Sequence, residues 1–586
     1  MSYSAPVDDI ITALKTVADL DVRLANGLYP GLDADTVKAV LDEAGNFAAD
    51  VLAPLNWSGD RVGARWQDGN VTTPAGFADA YRQFSAAGWS ALPCSEEFGG
   101  QGLPEIISSS VGEIWNAANL AFGLCPLLTQ GAIHAIEAGG SDALKQTYLP
   151  KMVSGQWTGT MNLTEPHAGS DLSGLKTRAD KQADGTYRIT GTKIFITCGE
   201  HDMAENIIHL VLARLPDAPA GTRGISLFLV PKFLLNADGT PGTRNDVVCA
   251  GIEHKLGIMA SPTCIMKFGE QGGAVGYLVG EENRGLANMF VMMNSARLAV
   301  GIQGVAIADR ATQRAIAFAK ERTQGRASKS SGTDMAPIIE HPDVRRMLLT
   351  MKSMTQASRM ICLATAAALD LAAYSTDAEE AKAARNLAAL LTPVAKSFAT
   401  DTSVEVASLG IQVHGGMGFV EETGAAQHLR DARILPIYEG TNGIQAIDLV
   451  MRKLPLEGGN VVTDYLSGIG TVVTKLHASD NAGFGRTATN LKDALDALCA
   501  ATRFIVKALT TEPDAALAGA TPYLNAFARV AGARYLVEAA LRDDAKASDV
   551  ALARFFAENC LPAAAGLAES AMHGGATVLA SEDIFA

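Results

Sequence analysis

HLRDARILPIYEGTNGIQ, residues 428–445, decides how this chain is interpreted, because a helical pattern there ends in a loop that presents Glu439 between Tyr and Gly. A second polar stretch, LTEPHAGSDLSG at residues 163–174, lies where a helical region gives way to a β-rich one. Each stretch alone has an ordinary explanation. A Glu before Gly is usually a solvated turn acid, and Thr or Ser before a helix is usually an N-cap.

The regions around these stretches differ in their hydrophobic period. Apolar residues recur at three- and four-residue spacing before residue 157, as in VDDIITALKTVADL, and this pattern predicts helices. Between 157 and 287, ADGTYRITGTKIFIT alternates apolar and polar residues, and IIHLVLARL and GISLFLVPKF are short β-rich runs. From 288 a long helical pattern returns, interrupted only by glycines. A linker is predicted at EGGN (457–460), and an Ala-rich helical segment follows it.

Length and composition narrow the class of protein. With 586 residues, 48% of them hydrophobic and 19% charged, the chain is expected to form three or four globular domains. Its net charge of −15 disfavours nucleic acid phosphates and anionic membranes as partners. The N-terminus carries Asp where a secretion signal would carry Lys or Arg, and no uniformly apolar run reaches eighteen residues. We therefore expect a cytoplasmic protein without a membrane span.

Several common cofactor motifs are missing from the sequence. The eight Cys occur singly, without CxxC, and the His residues show no HExxH spacing, so no metal site is expected. No GxGxxG follows a strand, and GGMG at 415–418 has the wrong spacing for a Rossmann fold. On residue type alone, a Phe such as Phe195 more often lies on a buried strand face than against a cofactor, and Arg322 would ordinarily be a solvated charge at a helix end.

The combination of LTEPHAGSD, GTKIFIT and RDARILPIYEGTNGIQ resembles the acyl-CoA dehydrogenase superfamily, and the likeness runs from about residue 40 to 452. It implies an α fold with a central β domain. The length and extra C-terminus resemble a bacterial branch that includes 3-methylmercaptopropionyl-CoA dehydrogenases and related fatty acyl-CoA dehydrogenases. The predicted domains are an N-terminal helical domain (1–156), a β-barrel-like domain (157–287), a four-helix bundle (288–455) and an appended helical domain (456–586).

The resemblance also implies a reaction, the α,β-dehydrogenation of an acyl-CoA thioester to the trans-2-enoyl-CoA. Glu439 matches the base that removes the α proton, while N5 of FAD receives the β hydride. Loss of the α proton makes the thioester an enolate, and the backbone N–H of Glu439 and a flavin hydroxyl are expected to stabilise its oxygen. Exclusion of water is expected to raise the Glu439 pKa. A minority of the family places its base just before the residue that matches Arg297, and that position is Ala296 here.

The cofactor and substrate positions follow from the same resemblance. Two departures are that Phe195 replaces the usual Trp and that RTQG lacks a Phe before its Gly. The residues matched to the flavin ring are Thr164, Phe195 and Thr197; those matched to the pyrophosphate of a neighbouring subunit's FAD are Arg322, Gln324, Gln412, Gly415 and Gly416; those matched to the adenosine are Thr441 and Gly443; and those matched to the acyl-CoA are Ser170, Asn294, Arg297 and Gly440.

The partners implied are an acyl-CoA substrate, an electron-transfer flavoprotein and a second copy of the chain, with a dimer expected. Candidate substrates are 3-methylmercaptopropionyl-CoA and short-, medium- or long-chain fatty acyl-CoA. One alternative is an acyl-CoA oxidase that uses dioxygen, and another is a catalytically inactive assembly subunit. A third is a flavin-containing, DNA-associated stress protein, which would need a basic C-terminal domain. Residues 456–586 instead contain 10 Lys and Arg against 15 Asp and Glu.

Overall fold

The computed structural model describes residues 3–326, 335–581 and 584–585, without the side chains of residues 290–292 and 294. Helices dominate the part before residue 157, as the hydrophobic period predicts. They are α1 (Val7–Val17), α2 (Leu20–Ala25), α3 (Ala34–Phe47), α4 (Ala53–Val62), α5 (Phe77–Ala86), α6 (Glu105–Ala118), α7 (Leu120–Gly139) and α8 (Asp142–Val153).

A β-hairpin interrupts this helical region, which the helical interpretation missed. Its antiparallel strands are β1 (Arg65–Gln67) and β2 (Asn70–Thr72). Asp68 and Gly69 connect them with φ values of 50° and 84°, the left-handed pair that a tight hairpin turn requires. Trp66 donates from its indole N–H to the Cys249 carbonyl at 2.9 Å, which ties the hairpin to the middle domain. Three-residue strands are too short to show an alternating pattern, so the Asp-Gly pair was the only signal.

The middle domain is built on one eight-stranded sheet. Its strands are β3 (Trp157–Asn162), β4 (Arg178–Lys181), β5 (Tyr187–Thr197), β6 (Asn206–Arg214), β7 (Ile225–Pro231), β10 (Val247–Ile252), β11 (Thr263–Phe268) and β12 (Ala274–Val279), and a separate antiparallel pair is formed by β8 (Phe233–Leu235) and β9 (Pro241–Arg244). The order in the sheet is β10-β11-β5-β12-β7-β6-β3, with β4 beside β5 and β6. Strands β3 and β6 pair in parallel, and β6 and β7 are buried almost throughout, which explains their continuous apolar sequences.

Among the residues described between 285 and 448, three long α-helices and two short ones follow the sheet. They are α9 (Gly285–Glu321), α10 (Pro342–Tyr374), α11 (Ala378–His414), α12 (Ala425–Ala432) and α13 (Asn442–Asp448). The glycines expected to interrupt α9 do not break it. A Cβ on Gly304 would lie 2.5 Å from the Ala399 carbonyl oxygen, so this glycine lets α9 and α11 approach closely. Helices α12 and α13 flank the loop that contains Glu439.

The appended region is entirely helical among the described residues, and it shares one apolar core with the preceding helices. A Cβ on Gly532 of α17 would lie 2.9 Å from that of Ala357 on α10. The predicted linker at 457–460 is a compact turn with left-handed Glu457 and Gly458. The helices are α14 (Asn460–His477), α15 (Thr487–Thr511), α16 (Pro513–Ala518), α17 (Ala520–Ala540), α18 (Ala547–Asn559), α19 (Ala563–His573) and α20 (Gly575–Leu579).

Two of the described helices, α7 and α10, are long and apolar enough by length and composition to cross a membrane. In each, 67% of the 18-residue window that meets this criterion is buried inside the protein. Helix α7 packs against β3 and α9, and α10 packs against α9 and α11. Helices surrounded by other elements are apolar on most sides, so composition alone does not distinguish them from membrane helices.

Candidate active site

Glu439 lies in a strained loop between α12 and α13. Its φ is 55° and that of the following Gly440 is 83°, so both residues are left-handed. A non-Gly residue with this backbone conformation is uncommon and persists only where its surroundings enforce it. The N–H of Asn442 donates to the Pro436 carbonyl at 3.0 Å and closes the loop.

Two side chains beneath this loop enforce its conformation. Lys396 donates to the Gly440 carbonyl at 3.0 Å and to Oδ1 of Asn442 at 2.9 Å. Gln445 donates from Nε2 to the carbonyls of Glu439 and Gly440, at 3.2 and 3.0 Å. Neither residue is among those predicted from the sequence. A lone Lys within the apolar helical stretch LLTPVAKSFAT was the available signal for Lys396.

The surroundings of Glu439 act on its pKa in opposite directions. Burial raises the pKa of the Glu439 carboxyl, and the positive charges of Lys396 and Arg297 counteract part of that rise. Burial likewise lowers the pKa of Lys396 to about 7, against the influence of Asp401 and Glu439. The loop thus holds an acid whose pKa is above its ordinary value, which suits a general base.

A cavity of about 120 Å³ lies between α6, α7 and α9. Its walls combine aromatic and polar side chains, among them Phe84, Trp89, Trp115, Phe122, Glu105 and Gln130. Ala296, the position of the alternative base, also lines it, and its methyl group cannot accept a proton.

Hydrogen bonds connect this cavity to the Glu439 loop. The Tyr438 hydroxyl donates to Oε1 of Gln303. Gln303 in turn donates from Nε2 to Oδ1 of Asn116 at 3.1 Å, and Asn116 lines the cavity. The residue beside Glu439 is therefore linked to the cavity wall.

The three residues predicted to face the flavin ring lie on β5 or directly beside it. The Thr164 carbonyl accepts from the N–H of Ile194 at 2.9 Å, and Thr197 is in β5 itself. Phe195 is 58% exposed with φ of 60°, so the expectation of a buried strand position is wrong. The left-handed backbone turns its ring outward, and an exposed aromatic plane of this kind fits a flavin ring.

A buried ion pair fixes the segment around Thr164 to β5. Nζ of Lys193 lies 2.9 Å from Oε1 of Glu165 and 3.0 Å from the Leu163 carbonyl. Burial lowers the Lys193 pKa to about 8 although Glu165 opposes the shift. The sequence analysis did not identify this pair.

The residues predicted to bind a pyrophosphate gather at one end of two parallel helices. Arg322 follows the last residue of α9, and Gln412 lies in the last turn of α11. Phe318 stacks on His414 with ring centroids 4.3 Å apart, which brings the two ends together.

All five of these residues are exposed, namely Arg322, Gln324, Gln412, Gly415 and Gly416. The guanidinium of Arg322 donates to Oε1 of Gln324 at 3.2 Å. A Cβ added at Gly415 or Gly416 would meet no heavy atom within 4 Å, so their backbone is open to a ligand. This open backbone fits the pyrophosphate of a neighbouring subunit's FAD, and the outward ring of Phe195 fits the flavin of the chain's own FAD.

The remaining predicted residues are dispersed. Thr441 is exposed and caps α13, where its hydroxyl accepts from the N–H of Ile444 at 3.4 Å, and Gly443 is exposed beside it. Ser170 is exposed in the loop after Thr164. The side chain of Asn294 lies outside the described residues.

Arg297 is buried behind the Glu439 loop. Its guanidinium lies 3.2 Å from Asp448 at the end of α13, and both side chains are almost fully buried. This position makes it an electrostatic neighbour of Glu439, and its predicted contact with CoA stays a prediction. Among the described residues, no group of three or more His, Cys, Asp or Glu could hold a metal ion.

Comparison with known families agrees with this geometry. The N-terminal domain of acyl-CoA dehydrogenase matches residues 34–156, the middle domain residues 160–270 and the C-terminal domain residues 283–454. A domain described as acetyl-CoA dehydrogenase C-terminal like matches residues 465–582. The chain belongs to the acyl-CoA dehydrogenase family, whose members are FAD-dependent oxidoreductases.

Similarity to individual proteins gives a finer comparison within the family. The chain is 50% identical to 3-methylmercaptopropionyl-CoA dehydrogenase of Ruegeria pomeroyi, over 89% of this chain and 88% of that protein. It is 35% identical to a butyryl-CoA dehydrogenase of Syntrophomonas wolfei, over 80% and 79% of the two chains.

Two solved structures show the fold. ACDH-11 of Caenorhabditis elegans, in complex with C11-CoA, matches 99% of this chain and 96% of its own with a TM-score of 0.77 at 20% identity. A chain described as the electron transferring flavoprotein of Acidaminococcus fermentans matches 72% of this chain and 98% of its own, with a TM-score of 0.59 at 25% identity.

Proposed function

We propose that Glu439 is the base of this acyl-CoA dehydrogenase and that its substrate is a short acyl-CoA, best represented by 3-methylmercaptopropionyl-CoA. The observation that carries the proposal is the strained Glu439 loop, linked through Tyr438 and Gln303 to a small aromatic cavity. When bound, FAD supplies the acceptor for the β hydride.

The chain's own contribution begins with the α proton. The Glu439 carboxylate accepts it, and burial favours the protonated product because it raises the pKa of this group. The positive charges of Lys396 and Arg297 act in the opposite direction and favour the carboxylate that accepts the proton. Ala296, which lines the cavity, offers no competing base.

Charge that develops on the thioester oxygen requires a donor. Within the described part of the chain, the backbone N–H of Glu439 makes no hydrogen bond. The carbonyls of Glu439 and Gly440 are held by Gln445 and Lys396, so the two peptide planes that follow Glu439 are fixed before substrate arrives. Stabilisation of an enolate oxygen requires a donor held in place in this way, and we propose the Glu439 N–H for that role.

Cavity size supports a short acyl group. A volume of about 120 Å³ compares with roughly 150 Å³ for an engineered cavity that binds benzene. Beyond its carbonyl, a 3-methylmercaptopropionyl group has two methylene carbons, a sulfur and a methyl group, which suits such a space. Thioether sulfur also makes favourable contacts with aromatic rings, which Phe84, Trp115 and Phe122 provide. The identity of 50% to the Ruegeria protein points to the same substrate.

The partners proposed are a second copy of the chain and an electron-transfer flavoprotein. The exposed Arg322 and the open backbone at Gly415 support a site that another subunit completes. The structural match described as an electron transferring flavoprotein, and the butyryl-CoA dehydrogenase relative, support that acceptor. We propose a dimer in the cytoplasm.

A turnover screen tests this proposal. The FAD-loaded protein is mixed with acyl-CoAs of increasing length and with 3-methylmercaptopropionyl-CoA, using an artificial electron acceptor or dioxygen. We expect the highest kcat/KM for 3-methylmercaptopropionyl-CoA, with butyryl-CoA next, and slow turnover with dioxygen. A maximum of kcat/KM at long acyl chains would refute the proposal of a short acyl substrate. Rapid formation of peroxide with dioxygen would establish the oxidase alternative.

A further inference from the structure

The Lys396 ammonium is unusually placed for a charged group. It stands in the middle of α11 with its side chain 0% exposed. Among the described residues no carboxylate oxygen lies within 4.0 Å of Nζ, and its contacts are the Gly440 carbonyl and Asn442 Oδ1. A buried charge without a contact ion pair is costly, and an apolar side chain of similar size could fill the same space.

Lys193, the other fully buried lysine in the part of the chain that the structure describes, shows the contrast. Nζ of Lys193 lies 2.9 Å from a Glu165 oxygen, so its charge is neutralised by direct contact. Lys396 instead directs its donors to the loop that carries Glu439. The charged groups that face it are Asp401 from its own helix, Arg297 from α9 and Glu439 from the loop.

The backbone group that Lys396 holds is the carbonyl of Gly440. The Gly440 carbonyl receives two donors, Lys396 and Gln445, each at 3.0 Å. In a trans peptide the N–H points opposite to the C=O, so anchoring this carbonyl orients the peptide plane that follows Gly440. Without Lys396, Gln445 alone of these two donors remains, so the strained left-handed conformation of Glu439 is held less firmly.

We propose that Lys396 is a positioning residue for the reaction: it holds the loop in which Glu439 is left-handed, and it brings a buried positive charge to that loop. This inference rests on the proposed role of Glu439 as the base. Its two parts, the hydrogen bond and the charge, are separable by substitution.

Three variants of the FAD-loaded enzyme separate these parts. Lys396→Met removes the hydrogen bond and the charge, Lys396→Gln retains a donor without the charge, and Lys396→Arg retains the charge. Lys382→Met is the matched control, since Lys382 is on the same helix but exposed and paired with Glu457 at 3.2 Å. The measurements are kcat, KM and the pH profile of flavin reduction by 3-methylmercaptopropionyl-CoA and by butyryl-CoA.

We expect Lys396→Met to lower kcat by about 10²-fold with little change in KM, because a small misplacement of the base is costly. Its acidic limb should move to higher pH, since the charge that lowers the Glu439 pKa is gone. Lys396→Gln should show the shifted limb with a smaller loss of kcat. Lys396→Arg should restore the position of the limb, and Lys382→Met should match wild type.

The outcomes distinguish this inference from the function on which it rests. If Glu439→Gln is inactive while Lys396→Met and Lys396→Gln keep the wild-type kcat and acidic limb, the role of Lys396 is refuted and the base is retained. If Glu439→Gln still reduces flavin, the proposed function itself fails. Should Lys396→Met not hold FAD, the acidic limb of Lys396→Gln decides alone, and an unshifted limb refutes the inference.

Discussion

The Tyr438 hydroxyl donates a hydrogen bond to the side-chain carbonyl of Gln303, and this bond joins the Glu439 loop to the helix that lines the cavity. Gln303 is fully buried, and its amide continues the link to Asn116. The loop and the cavity wall are therefore parts of one hydrogen-bonded unit. Groups joined in this way are expected to couple when they are substituted.

Replacement of Glu439 by Gln removes the proton acceptor while keeping the shape of the side chain. We expect the variant to fold, hold FAD and bind acyl-CoA, and to reduce its flavin at least 10²–10⁴-fold more slowly. Stopped-flow absorbance of the flavin under anaerobic conditions measures this rate. A near-wild-type rate would show that another residue is the base, and Ala296 offers no substitute.

The fall of wild-type activity on the acidic side of its pH profile is expected to follow the protonation of the Glu439 carboxyl. Because burial raises the Glu439 pKa, activity should fall as the pH drops through a value above the ordinary range of Glu, which is about 4.3. The carboxylate is the active form, so protonation at low pH removes activity. Rates measured between about pH 4 and 8 locate the limb, and a limb at or below 4.3 would contradict the expected shift.

Substitution of Gly112 tests whether the cavity holds the acyl group. Gly112 lines the cavity in the middle of α6, and a Cβ there would meet only Ile302 at 3.9 Å. We expect Gly112→Ala to fold well, with up to about 1 kcal/mol of added helix stability, and to raise KM increasingly with acyl length. Gly470→Ala, at a helix position with open space, is the control. Unchanged KM values for every acyl length would place the acyl group elsewhere.

Removal of the Arg322 guanidinium tests the site at the ends of α9 and α11. Arg322→Ala should weaken FAD binding, because Ala cannot replace charge-assisted hydrogen bonds to a pyrophosphate. FAD content and the dissociation constant of the apoprotein are measured beside oligomeric state from light scattering. Wild-type FAD affinity would remove Arg322 from the site, and the missing Phe in RTQG would be the reason.

Truncation after residue 455 tests the shared core. Helices α10 and α17 pack closely enough that Gly532 is required opposite Ala357, and one apolar cluster spans both regions. The shortened chain should aggregate or bind a hydrophobic dye, because α10 loses its cover. A soluble, FAD-loaded and active truncation product would show that the appended region folds independently of the rest.

The sequence by itself determined the order of helical and β regions and the family, because hydrophobic period and three ordered motifs are local properties. It also predicted Glu439, since a Glu in YEGT is readable without coordinates. The alternating pattern alone could not predict that Phe195 turns outward, because a left-handed residue within a strand leaves no mark in it, and only the resemblance matched Phe195 to the flavin ring.

Tertiary structure alone decided what surrounds Glu439. Lys396 is 43 residues away in sequence, and only the packing of α11 beneath the loop brings its ammonium to the Gly440 carbonyl. The cavity likewise exists only where α6, α7 and α9 meet. Distances between segments remote in sequence depend on how helices pack, and that packing sets both the charge around the base and the size of the acyl group the protein accepts.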